Sequence, residues 1–171
     1  MLPSPNIPTA EAAIHYPSAG ICGEYYGYLN IGIGYTLPFQ VFGNTWVDPN
    51  KLQEKLESYN LPGVSFRTIY FKPFSGPLAK QLVKGVQYFF TDYEKARITE
   101  TQFYVMQAIT ELYPDKKAFE IVNSVGLLDK VCGTDYVKKE FSKRYKVADI
   151  LEYWRKDEES FRALSQKYHL Y

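Results

Sequence analysis

Between Ile21 and Phe39 four glycines (Gly23, Gly27, Gly32, Gly34) are interleaved with four tyrosines (Tyr25, Tyr26, Tyr28, Tyr35). Glycine reaches backbone conformations closed to other residues and lets a second backbone or a ligand come close. Tyrosine offers a flat apolar face and a polar tip. The pattern predicts a tightly turned loop that presents aromatic rings, with Glu24 and Asn30 as polar contacts. Such a loop makes a wall for a sugar or another polar ligand. A glycine-rich turn between two strands, whose tyrosines only pack, fits the same residues.

The flanking sequence supplies regular elements. Leu2 to Pro8 holds three prolines, so residues 1–8 read as an extended lead. Thr9 can cap a helical turn to Ala13, and residues 40–43 suit a short strand or turn. Asp48-Pro49 is a helix start, with Asp as cap and Pro at the first position. That helix runs to about Tyr59, and Asn60 with Pro62-Gly63 stops it. Residues 64–72 and 85–91 are rich in β-branched and aromatic side chains and read as strands. The connection from Pro73 to Lys84 is too long for a simple hairpin, which marks it as a second candidate site region.

From Thr99 onward the pattern is helical. Thr99 and Gln102 have capping-box spacing, and Ile98, Val105, Ile109 and Leu112 recur at helical intervals. A short helix is expected over residues 116–122, and another from Asp135 to Arg144 behind Thr134, with Val137 and Phe141 inward. Val147, Ile150, Leu151, Trp154, Phe161 and Leu164 fit a helical face through the C-terminal stretch. The run from Arg155 to Glu159 reads as a solvated mixed-charge face. Early strands and late helices predict an α+β domain, a small mixed sheet with several helices and a mainly helical C-terminal half. At 171 residues the chain fits one domain, 1–171.

Charge and motif content exclude several functions. A net charge of +1 gives no reason to expect nucleic acid or an anionic membrane. No apolar run reaches the length of a membrane span. Met1 is followed by Leu-Pro-Ser-Pro, so no signal peptide is expected. Cys22 and Cys132 are compatible with one disulfide or with two thiols. His15 and His169 have no neighbour at metal-ligand spacing, so neither metal nor cofactor is expected. Phosphate-loop and nucleophile-elbow motifs are absent. Glycoside hydrolysis normally needs two facing carboxyl groups, and Glu24 is the one carboxylate inside the distinctive loop.

Ordered short motifs carry a resemblance. They run Ser4-Pro-Asn-Ile-Pro-Thr, Tyr16-Pro, Gly32-x-Gly34-x-x-x-Pro38-Phe39, Gly43-x-x-Trp46-Val-Asp48 and Leu61-Pro-Gly-Val-x-Phe66-Arg. Tyr70-Phe-x-Pro73, Gly85-Val-Gln87, Thr91-Asp92, Leu112-Tyr-Pro114, Gly133-Thr-Asp135 and the terminal Leu170-Tyr171 follow. The chain resembles the C-terminal half of the NamZ-like exo-β-N-acetylmuramidase family, long described as a domain of unknown function.

The resemblance implies a two-part bacterial protein that removes N-acetylmuramic acid from the non-reducing end of peptidoglycan fragments in the periplasm or outside the cell. A Rossmann-like N-terminal half carries much of the hydrolytic machinery, and the C-terminal half closes the cleft. By this resemblance the ligand is a peptidoglycan-derived sugar or muropeptide. Glu24 is then the candidate catalytic carboxylate, and Tyr25, Tyr28, Asn30, Gly32, Gly34, Tyr35, Phe39 and Gln87 are candidate ligand-binding residues. The family's loop Glu, Asn and Arg fall on Tyr25, Tyr28 and Ile33, so the loop keeps the backbone pattern and exchanges charge for aromatic surface. The isolated chain is expected to release no N-acetylmuramic acid. A non-catalytic carbohydrate- or protein-binding module is the alternative.

Overall fold

Two helix starts behave as their local chemistry requires. Thr9 Oγ1 accepts the Ala12 N–H at 3.1 Å, and Asp48 Oδ1 accepts those of Asn50 and Lys51 at 3.0 and 3.2 Å. The computed structural model describes residues 4, 7–23, 28–121 and 126–169. The helices are α1 (Ala10–Gly23), α2 (Pro49–Glu57), α3 (Thr101–Leu112), α4 (Ala118–Ile121), α5 (Gly126–Cys132), α6 (Tyr136–Arg144), α7 (Leu151–Arg155) and α8 (Glu158–Ser165). The strands are β1 (Val41–Asn44), β2 (Val64–Phe71) and β3 (Val83–Phe90). Most of the proline-rich lead lies outside the described residues.

The sheet has the order β1-β3-β2, and both pairings are antiparallel, so the α+β class holds but this sheet is not mixed. β3 is central, and six of its eight residues are buried. Cross-strand partners share a face. Phe42 pairs Val86, Phe66 pairs Tyr88 and Val64 pairs Phe90 on one face. That face meets Ala12 and Ala19 of α1, Leu52 and Leu56 of α2, and Val105 and Ile109 of α3 in the main core. On the opposite face Val41, Phe71 and Val83 form a smaller core, closed by Tyr35, Leu37, Ile69 and Leu78.

Helix α1 extends far beyond the expected turn at residues 9–13 and includes Pro17. Its last turns are held from α3. Gln102 Oε1 accepts the N–H groups of Ile21 (2.9 Å) and Cys22 (3.2 Å), and its Nε2 donates to the Pro17 carbonyl (3.0 Å). The amide thus faces the two groups, Pro17 C=O and Ile21 N–H, that an α-helix joins to each other. Gln102 therefore does not form the expected capping box with Thr99. Residues 98–100 make a 3₁₀ turn, and the Thr99 hydroxyl accepts the Trp154 indole N–H at 3.0 Å.

Two further expectations change. Phe161 and Leu164 are exposed, because no described element covers that side of α8. Arg155 is not simply solvated, since it pairs both carboxylate oxygens of Glu100 at 2.6 Å, and Glu100 is buried. Helix α5 carries no strong local start signal and escaped the sequence reading. Cys22 and Cys132 are free thiols. Burial raises the Cys22 pKa, and burial with the nearby Asp129 raises that of Cys132 to about 11, which makes both poor nucleophiles. Among the described residues no helix is long and apolar enough to cross a membrane.

Candidate functional site

The segment after α1 returns to the sheet through Asn30. Its N–H donates to Gly43 O (2.7 Å), and Gly43 N–H donates to Asn30 O (3.1 Å), so one residue adds to the free edge of β1. The Asn30 side chain then shapes the loop. Oδ1 accepts the Gly32 N–H at 2.7 Å, and Nδ2 donates to Ile33 O at 3.3 Å. A side-chain amide has two donors and two acceptor lone pairs, so one of each remains for a ligand.

Gly32 and Gly34 sit at φ +90° and +80°. A Cβ on Gly32 would lie 2.0 Å from Leu37 O, and one on Gly34 would lie 2.6 Å from Ser75 O. Both positions therefore need glycine for conformation and for space. Gly34 O accepts the Phe74 N–H at 2.7 Å, which ties this loop to the β2–β3 connection. The connection folds on itself through Lys80 N–H to Pro73 O at 2.7 Å. Its unusual length thus serves to build an ordered second wall.

Between the walls is a cavity of about 230 Å³. Leu29, Asn30, Ile31 and Ile33 line one side, residues 75–78 the other, and Gly23 one end. The lining is mainly apolar, with Asn30 and Ser75 as its polar side chains. It contains no carboxylate among the described residues. Its size and its few convergent polar groups suit part of a small ligand.

The predicted residues distribute unevenly around this cavity. Asn30 lines it. Gly32 and Gly34 shape one wall. Tyr35 packs at a tilt against Phe71 with centroids 4.7 Å apart and closes the smaller core beneath the loop. Tyr28 is 1% exposed, so its ring belongs to the main core and is out of reach of a ligand in the cavity. Burial raises its hydroxyl pKa. Phe39 is buried too, at φ +66°, a strained conformation for a bulky residue. Its N–H donates to Ile31 O at 2.6 Å, its carbonyl accepts the Tyr88 hydroxyl, and Tyr16 meets its ring edge-on. Gln87 lies on β3, 3% exposed, and accepts from Arg67 rather than lining the cavity. Glu24 and Tyr25 lie outside the described residues. The apolar lining (Leu29, Ile31, Ile33 and Leu78) was missed because aliphatic residues in a loop look like packing.

Comparison with known proteins agrees with this picture. The family profile described as Exo-beta-N-acetylmuramidase NamZ, C-terminal, matches residues 14–171. The chain is 33% identical over 171 residues to the peptidoglycan beta-N-acetylmuramidase NamZ of Bacillus subtilis (strain 168), covering 100% of this chain and 40% of that protein. It also matches the crystal structure of a DUF1343 family protein from Bacteroides fragilis NCTC 9343 with a TM-score of 0.93 and 44% identity, over 98% of this chain and 44% of that one. The chain thus spans less than half the length of these relatives. The match over nearly all of its residues is decisive for membership: the chain belongs to the NamZ C-terminal family.

Proposed function

We propose that this chain is the glycan-contacting C-terminal part of a peptidoglycan-processing protein that, when intact, releases N-acetylmuramic acid from the non-reducing ends of cell-wall fragments. The observation that carries this reading is the end-to-end similarity to a protein described as a peptidoglycan beta-N-acetylmuramidase. The cavity between the Asn30 loop and residues 75–78 is the ligand subsite. A preceding, Rossmann-like half is the partner that completes the cleft, and the site of action is the cell wall, outside the cytoplasm.

Glu24, one residue beyond the Gly23 lip, is the candidate carboxylate. Hydrolysis of a glycoside by the usual mechanism needs two such groups, so the second comes from the partner half. The test compares release of N-acetylmuramic acid from a chromogenic muramide by this chain and by the longer protein that contains it. The longer protein is expected to turn over and this chain is not. Turnover by this chain that disappears in Glu24→Gln would overturn the division of labour. Binding without turnover by both would favour a carbohydrate-binding module, a reading that also fits a cavity lining with no carboxylate among the described residues.

A further inference from the structure

The cavity loop meets two of its left-handed positions with glycine, Gly32 and Gly34, but the third, at φ +66°, is the buried Phe39. A bulky residue in that conformation carries strain, which persists only where the surroundings over-determine it. Phe39 is fixed from three sides. Its N–H donates to Ile31 O at 2.6 Å, Tyr16 of α1 meets its ring edge-on at 4.9 Å, and its carbonyl accepts the Tyr88 hydroxyl.

The contact with Tyr88 is the one that decides the conformation. Tyr88 is fully buried, so the Phe39 carbonyl meets it inside the core, where a carbonyl without a donor is costly. Tyr88 is itself well placed. Its N–H donates to Gln40 O at 3.2 Å, Ser18 Oγ of α1 lies 2.5 Å from its phenol oxygen, and Phe42 stacks on its ring. Burial raises its pKa, so the phenol keeps the proton that it donates. From Phe39 the constraint passes to the cavity. Ile31, whose carbonyl takes the Phe39 N–H, is a lining residue next to Asn30. Leu37 O stands 2.0 Å from where a Cβ on Gly32 would sit, so the outgoing and returning legs of the loop are in contact. A shift of the returning leg at Phe39 therefore displaces the wall that carries Asn30.

We propose that Tyr88, a core residue outside the cavity lining, is a positioning residue for the ligand: its hydroxyl holds Phe39 in the left-handed conformation, and Phe39 sets Ile31 and the Asn30 wall. The proposal rests on the cavity being a sugar subsite. A tyrosine that only filled the core would leave ligand affinity untouched when its oxygen is removed. A tyrosine that holds strain in the loop would not, and glycine at position 39 would make its hydroxyl dispensable.

The experiment titrates N-acetylmuramic acid into the chain, followed by NMR, and measures hydrogen exchange of the Phe39 amide. Tyr88→Phe should weaken binding about tenfold, as loss of one buried hydrogen bond supplies, and should speed exchange at Phe39. Val105→Ala, a core truncation on α3, should lower stability and leave both readouts unchanged. In the Tyr88→Phe background Phe39→Gly and Phe39→Ala delete the same ring and differ in their tolerance of positive φ. The glycine variant should bind about tenfold tighter than the alanine variant. Exchange in Tyr88→Phe alone needs neither Phe39 variant, so a failure of those to fold leaves the test intact. Parental affinity and parental Phe39 exchange in Tyr88→Phe, or equal binding by folded glycine and alanine variants, would overturn the assignment and leave the sugar subsite standing. No binding by the parent chain would overturn the subsite reading. Phe39 exchange then decides whether Tyr88 sets the wall, fast exchange in Tyr88→Phe supporting it and unchanged exchange overturning it.

Discussion

The two faces of the three-stranded sheet differ in what covers them. One face lies against α1, α2 and α3, and Phe42, Phe66, Val86 and Tyr88 disappear into a continuous core. The other is closed at one end by loop residues Tyr35, Leu37 and Leu78, and carries exposed Arg67 further along. Gly43 and Gly85 face each other on this second side, so of the three strands only β2, through Ile69 opposite Gly85, carries a side chain in that row. Helices cover a face with repeated apolar stripes and stabilise it. Loops cover it piecemeal and leave edges, a cavity and a cation. The same strands are therefore packed into a continuous core on one side and border a loop-built cavity on the other.

Truncation on the helix-covered face should have the largest effect. Phe42 is fully buried and stacks on Tyr88 with centroids 5.0 Å apart. Phe42→Ala is expected to lower unfolding free energy by about 3–5 kcal/mol in denaturant titration. A loss under about 1 kcal/mol would mean that the face is not a packed core. On the loop-covered side Gly34→Val meets Ser75 O and a left-handed backbone. It should cost about 1–3 kcal/mol and also weaken sugar binding, since Ser75 must move. Intact binding in a destabilised Gly34→Val protein would separate this wall from the ligand.

A smaller effect tests the ties among the covering elements. Burial pushes the Glu111 carboxyl up, but hydrogen bonds from Lys146, Lys55, Tyr59 and Gln107 outweigh it and hold its pKa at about 2, below the ordinary 4.5. A depressed folded-state pKa stabilises the fold above the ordinary value, and that contribution is lost as pH falls from about 4.5 through about 2. Glu111→Gln should flatten the melting temperature against pH over that window, and an unchanged slope would show that the cluster adds nothing. The smallest effect is expected outside both faces. Phe161 is 67% exposed on α8, so Phe161→Ser should change stability by no more than about 0.5 kcal/mol. A loss several times larger would show that α8 is packed against something.

Legibility followed the range of the interactions. Asp48-Pro49 and Thr9 act within one helical turn, and both were readable. Val137 and Phe141 have the right spacing and do point inward. Phe161 and Leu164 have equally good spacing, but periodicity does not say whether a partner surface exists. Thr9 marked the start of the first helix, but the support for its full length comes from Gln102, 85 positions beyond Pro17. At the site, Gly32, Gly34 and the long residue 73–84 connection announced themselves by backbone chemistry. Tyr28 did not fit, because a buried ring and a ligand-facing ring look the same in sequence.

The Gln102 amide also bears on the order in which the chain assembles. Local helix formation can supply the first turns of α1, but the N–H groups of Ile21 and Cys22 gain their side-chain acceptor only after α3 has docked. The end of α1 that carries Gly23 to the cavity lip is therefore a late structure. In hydrogen exchange, the amides of Ile21 and Cys22 should open together with α3 rather than with Ala12 and Ala13. Gln102→Leu should release them selectively, leaving a protein whose core persists while the rim of its cavity frays.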